Sequence, residues 1–300
     1  MADVAPTAPR ARGLARVRLA LEMVRFSHSV FALPFALLSL VLACGGVPPL
    51  ALLGWVLLAM VAARSAAMAF NRLADRDVDA RNPRTAQRHL VVGSLSVPFA
   101  VTFTLVCVAI FLLAAWRINV TALALSPLVL AVLLGYSLLK RFTWAAHFGV
   151  GLALGLSPLG AWVAGAGGLG GDLRIPALLG VAVVLWVSGF DVIYACQDAE
   201  VDRREGLHSI PARLGVPGAL RVAATLHLLC IGAFVALAPV AHLHWPYLCA
   251  VGVTAALLLY EHAIVSPADL SRVNVAFFNV NGIVALLVGA AGILDVLLLR

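Results

Sequence analysis

The sequence predicts an all-α protein, a polytopic membrane bundle of about nine transmembrane helices around a central cavity. Three observations lead there. Of 300 residues, 63% are hydrophobic and only 12% charged, about half the charged share of an ordinary soluble domain. The apolar residues fall into runs of roughly 18 to 24; at about 1.5 Å per residue, such a run crosses a hydrocarbon core of about 30 Å. Lipid offers no partner to a backbone N–H or C=O, so each spanning run must satisfy its own hydrogen bonds as a helix.

Residues 1-24 read as an N-terminal leader: an Ala/Pro-rich stretch, then a short amphipathic helix over residues 14 to 25 lying at the membrane interface. Arg10, Arg12, Arg16 and Arg18 precede no apolar core of signal-peptide length and no evident small-residue cleavage site, so the leader is expected to stay attached. Residues 25-300 read as a single transmembrane domain, with spans at 27-44, 50-70, 95-116, 118-138, 143-166, 176-197, 217-239, 245-264 and 273-298. The five cysteines are scattered, mostly inside spans and without a CxxC pair, as small core residues are.

Charge sets the expected orientation. The leader and the loops after helices 2, 4, 6 and 8 hold seventeen of the 21 basic residues. By the positive-inside rule these face the cytoplasm and the C-terminus lies outside. The net charge of +7 does not imply nucleic acid, because the arginines sit at membrane edges beside acidic residues rather than on a free basic face.

Two acidic blocks, 71-84 and 191-209, each close an even-numbered helix on that basic side. In the first, Asn71, Asp75 and Asp79 are four residues apart and share one helical face. Asp77 points elsewhere and reads as solvated. In the second, Asp191, Asp198 and Asp202 are seven and four apart, a single stripe, with Tyr194 at its flank. One aspartate at a membrane edge merely snorkels. Two matched stripes of carboxylates repel one another unless a cation neutralises them, and hard oxygen ligands suit Mg²⁺ bound together with a diphosphate. Gly206 and Pro211 are expected to end the second helix, leaving His208 and Ser209 on a loop folded back over the site.

A diphosphate needs cations as well. Arg25 and His28 begin the first span, Arg64 lies seven residues before Asn71 on the same face, and Lys140, the only lysine, ends helix 4 with Tyr136 one turn before it. For Arg64 the readings are a structural ion pair or an anionic substrate group; for Lys140, a topology-setting charge or an anion contact. The histidines at 89, 147, 227, 242, 244 and 262 show no metal spacing and read as interfacial or core residues.

With these residues in view, the chain resembles the UbiA superfamily of membrane prenyltransferases over residues 20 to 300. The N-x-x-x-D-x-x-x-D signature with its Arg-Thr is matched by Asn71, Asp75, Asp79, Arg84 and Thr85, and the second signature by Asp191, Tyr194, Ala195, Asp198, Asp202, Gly206 and Ser209. The resemblance implies Mg²⁺-diphosphate binding at Asn71, Asp75, Asp79, Asp198 and Asp202, with diphosphate contacts from Arg25, Lys140 and Tyr136; His28, Tyr194, Arg203, His208 and Ser209 are the further candidate substrate contacts. Arg72 stands where many relatives have aspartate, and His28 and His208 where lysine is common.

The segments 25-35 and 190-215 look most like the 4-hydroxybenzoate polyprenyltransferase-like branch, which includes the futalosine-route menaquinone prenyltransferase with a different aromatic acid. The activity so implied is transfer of a polyprenyl group from polyprenyl diphosphate to an aromatic acid acceptor, with the tail in membrane lipid. Asp191 is then the candidate base or acceptor-orienting group, and Arg64 the group holding the acceptor's carboxylate. A secondary transporter is the rival of another class, and helices broken at Pro34 or Pro158 would favour it.

Overall fold

The computed structural model describes residues 14–24 and 31–299. It is helical, and among the described residues eight helices are long and apolar enough to cross a membrane.

Helix α1 (Leu14–Met23) is the first described element. Met23 and Val24, at its end, pack against Met68 and Ala69 and against Leu90 and Leu95. Arg18 stays exposed and donates to Glu22 one turn on. Then come α2 (Leu33–Cys44), α3 (Leu50–Ala74), the short α4 (Arg76–Arg81), α5 (Val97–Ile118), α6 (Val120–Leu139) and α7 (Ala146–Gly165). Helix α8 (Arg174–Ala195) runs through a 3-10 turn at Cys196–Asp198 into α9 (Ala199–Arg204), followed by α10 (Ile210–Val240) and α11 (Trp245–Ile264). The last span is α12 (Val273–Val275), a π turn at Ala276–Val280 and α13 (Asn281–Leu299).

The first expected span differs from the rest. Residues 27–30 lie outside the described set, and α2 has only 12 residues, about 18 Å of helix. Pro34 stands in the first turn of α2, where its missing N–H costs nothing. Pro158 does not break α7 either: Ser157 Oγ donates at 2.7 Å to Leu154 O, the carbonyl that the proline leaves without an N–H. Pro211 begins α10 instead of ending α9, and that helix bends at Gly215, whose φ of 69° lies in the left-handed region. The broken helices that would favour a transporter are therefore not at Pro34 or Pro158.

Helices α2, α7, α8, α10, α11 and α13 pack in sequence around to α2 again, while α3, α5 and α6 form a second group joined through α7. Lipid tails are as apolar as leucine, so close helix contact relies on small residues. In α7, a Cβ added to Gly151 would meet Val184 O at 2.7 Å, and one added to Gly155 would meet Gly180 O at 2.8 Å. These glycines let α8 lie against α7. On its other side α8 supplies Trp186 to a buried aromatic core with Phe35, Phe190 and Phe234.

The loops gather at two ends of the bundle. Val265 and Val273, flanking the loop after α11, pack with Ile193, Cys196 and Ile210 beside the second acidic block. At the other end Asn119 Nδ2 donates to Val163 O at 2.9 Å, and Asp295 accepts from the His244 N–H at 2.9 Å.

Candidate active site

Both acidic blocks open onto one cavity of about 180 Å³ at the basic end of the bundle. The first block reaches it where α3 passes into α4. Asp75 sits at that joint, with φ −94° and ψ 3°, so the helix bends without losing its face. Asn71, Asp75 and Asp79 all line the cavity, and Asn71 Nδ2 donates to Asp75 Oδ2 at 2.9 Å. Asp77 is exposed. Burial pushes the Asp75 carboxyl up against the pull of the Lys140 charge, and nearby Asp79 adds to the push.

The second block arrives on α8 and α9. Asp191, Tyr194, Asp198 and Asp202 line the same cavity, the 3-10 turn between the two helices keeping the stripe in register. Gly206, with φ 68°, turns the chain after α9, and Leu207 N–H donates to Asp202 O at 2.8 Å. The turn brings His208 and Ser209 over the cavity, where the His208 N–H donates to Lys140 O at 2.7 Å. Ser209 Oγ caps α10 by accepting from the Ala212 N–H.

At the cavity, Asp79, Asp198 and Asp202 each face a cation. Arg88 Nη1 donates to both oxygens of Asp79 at 2.6 and 2.5 Å, and Arg72 Nη1 lies 4.0 Å away. Lys140 Nζ lies 2.9 Å from Asp202 Oδ1, an ion pair without the alignment of a hydrogen bond. Arg84 crosses between the blocks, with Nε donating to Asp198 Oδ1 at 2.9 Å, Nη2 to Asp198 Oδ2, and Nη1 to the Tyr194 hydroxyl at 3.0 Å. Burial opposes the charge of Arg84 most strongly, but the hydrogen bonding and charge of Asp198, with Tyr194 and Asp79, together outweigh it and raise its pKa. Asn82 Nδ2 also donates to Asp198 Oδ1, at 2.9 Å. Arg81 pairs with Glu205, tying the α4 end to the turn after α9.

Among the described residues no three His, Cys, Asp or Glu side chains converge as a formed metal site. The donor chemistry nevertheless fits a hard cation: five candidate oxygen-bearing side chains, Asn71, Asp75, Asp79, Asp198 and Asp202, face one cavity. Buried Asp202 Oδ1 has no aligned donor.

Not every expected residue gathers here. Arg203, one residue past Asp202, is turned about 100° around α9; it is exposed and reaches Ala212 O instead. It is not among the lining residues. Arg64 lies deeper than the cavity lining, with its Nε buried and without a hydrogen-bond partner among the described residues. Tyr136 and Lys140 do line the cavity, and Arg25 and His28 lie outside the described residues. The lining residues absent from the expected set include Asn82, Arg84, Arg88 and His147. Arg84 had its place in the Arg-Thr signature, and Asn82 lay in the first block. His147 gave no signal: it is buried, as a core residue is, and also borders the cavity, with its Nδ1 2.7 Å from Asp191 Oδ2.

A bundle of membrane-spanning helices with carboxylates and paired cations around a pocket at one end defines a multi-pass membrane protein with a charged, partly buried site. The chain belongs to the UbiA prenyltransferase family, whose pattern matches residues 32–283. It is thus an enzyme of prenyl transfer. A 4-hydroxybenzoate octaprenyltransferase of Albidiferax ferrireducens is 31% identical over 240 residues, 79% of this chain and 78% of that protein. A 4-hydroxybenzoate solanesyltransferase of Synechocystis is 34% identical over 58% of this chain and 59% of that protein. Among solved structures, a UbiA homologue from Aeropyrum pernix is 37% identical with a TM-score of 0.81, covering 90% of this chain and 98% of that one. A UbiA homologue from Archaeoglobus fulgidus, bound to GPP and Mg²⁺, shares the fold at 21% identity with a TM-score of 0.65, covering 92% and 99%.

Proposed function

We propose that this chain transfers a polyprenyl group from a polyprenyl diphosphate to a hydroxylated aromatic acid of the 4-hydroxybenzoate type, in respiratory quinone biosynthesis. The observation that carries this reading is the meeting of the two acidic blocks, with Arg84, Arg88 and Lys140 among them, around one pocket. The names of the relatives support the acceptor class.

Asn71, Asp75, Asp79, Asp198 and Asp202 would hold Mg²⁺, which supplies positive charge to the diphosphate leaving group. Arg84, Arg88 and Lys140, each engaged with a carboxylate, stand ready to turn to the diphosphate oxygens, and Tyr136, Tyr194, His208 and Ser209 border them. Breaking the C1–O bond leaves an allylic cation and frees the diphosphate. The ring carbon ortho to the acceptor's hydroxyl attacks that cation, and Asp191 takes the ring proton, returning the C–H electron pair to the aromatic system.

Arg64 is assigned the acceptor's carboxylate, since its Nε is buried without a hydrogen-bond partner among the described residues, a costly state for a charged group in a membrane interior. The catalytic unit is residues 25–300, with 1–24 as an attached interfacial leader. The N-terminus and site loops face the cytoplasm and the C-terminus lies outside, in a bacterial inner membrane, a placement supported by the seventeen basic residues on that side.

The test is product formation from a polyprenyl diphosphate, Mg²⁺ and a panel of aromatic acids. An ortho-prenylated 4-hydroxybenzoate is expected; turnover of other aromatic acids with none of 4-hydroxybenzoate would refute the acceptor assignment.

A further inference from the structure

The geometry points to His147 as the residue that positions Asp191: its Nδ1–H holds one carboxylate oxygen, leaving the other free for the acceptor. The inference rests on the reading of Asp191 given above.

The imidazole is buried between α7 and α8, whereas the Asp191 side chain keeps 25% exposure at the cavity. Both ring nitrogens have partners. The Ile210 N–H donates to Nε2 at 3.3 Å, so Nε2 presents its lone pair and the ring proton belongs on Nδ1. That proton faces Asp191 Oδ2 at 2.7 Å. The neutral tautomer is thus fixed from behind by a backbone amide.

Ile210 is the first residue of α10, directly after His208 and Ser209. Its N–H is one of the unpaired donors at a helix start. One imidazole therefore ties the loop over the cavity to the carboxylate beneath it. Ser188 Oγ, from α8, donates to His147 O at 3.3 Å and holds the backbone on the other side. When the acceptor ring releases its proton, Asp191 receives it on the oxygen not held by His147 and becomes neutral. The Nδ1–H bond to the other oxygen survives that change. His147 gives up no proton, so it is a positioning residue.

Two substitutions separate positioning from packing. In His147→Asn the amide nitrogen takes the place of Nδ1, whereas the hydroxyl of His147→Ser is too short to reach Asp191. In the purified full-length chain with polyprenyl diphosphate, Mg²⁺ and 4-hydroxybenzoate, the serine variant should lose about 10- to 100-fold in kcat, the span typical of removing an orienting partner. KM for the prenyl diphosphate should stay within about twofold. The asparagine variant should recover most of the turnover, and adding His147→Ser to Asp191→Asn should cost nothing more.

Equal loss in the serine and asparagine variants, or multiplying losses in the double variant, would overturn the inference. An impaired Asp191→Asn beside a fully active His147→Ser would remove the inference alone. A fully active Asp191→Asn would remove both it and the reading of Asp191. Thermal unfolding of each variant separates lost fold from lost turnover, with His147→Thr replacing a serine variant that does not fold.

Discussion

Arg84 donates from two guanidinium nitrogens to both carboxylate oxygens of Asp198 and from the third to Tyr194, joining residues 114 apart across the two acidic blocks. The fork geometry matters as much as the charge. Arg84→Ala should lower kcat by about 10²- to 10³-fold, the usual cost of a preorganised donor at developing charge. Arg84→Lys, with charge but no fork, should fall between. Product extraction under saturating substrates checks both.

Arg64 is assigned a different task, so its loss should show in a different constant. Arg64→Gln should raise KM for 4-hydroxybenzoate by about 10-fold or more while leaving KM for the prenyl diphosphate nearly unchanged, as removal of a charged hydrogen bond implies. The methyl ester of the acceptor, used poorly by the parent chain, should be affected little by the substitution. Steady-state kinetics with acid and ester decide the matter.

The contact between α7 and α8 allows a prediction about stability. A Cβ at Gly155 would lie 2.5 Å from Val184 Cγ2 and 2.8 Å from Gly180 O, whereas one at Gly160 on the same helix meets nothing within 4 Å. Gly155→Val should therefore cost about 1–3 kcal/mol or more through overpacking, and Gly160→Ala should be nearly neutral. Thermal unfolding in detergent compares the two.

A buried polar network links α8, α11 and α13. Asn281 accepts from Trp186 Nε1 at 2.6 Å and donates to Glu261 Oε1 and to Ala276 O, both at 3.0 Å, the latter carbonyl lying in the π turn. Asn281→Leu would leave two buried side-chain groups, Trp186 Nε1 and Glu261 Oε1, without their partner. A loss of about 1–3 kcal/mol per orphaned group should appear as a lower unfolding temperature and a smaller folded yield.

Much of this arrangement is legible in the amino-acid order because lipid leaves few alternatives. A run such as 245–264 has to be a helix of about that length, and α11 occupies those residues. The aspartate stripes were legible for the same reason, since helical spacing fixes their face even across the bend at Asp75 and the 3-10 turn before α9. Loop partners were not. Arg88 reaches Asp79 only because the chain after α4 turns back, and no periodicity encodes that turn. His147 lies 44 residues from Asp191 on another helix, and Arg203, although next to Asp202 in sequence, is exposed away from the cavity.

The most direct test is binding of a non-ionisable prenyl thiodiphosphate to the parent chain and to Asp75→Asn and Asp198→Asn, by calorimetry with Mg²⁺ or with EDTA. One aspartate from each block joining in a single site predicts binding to the parent chain only with Mg²⁺, and loss of about 10-fold or more in affinity in either variant with the fold retained. Unchanged binding in either variant, or equal binding in EDTA, would contradict the account.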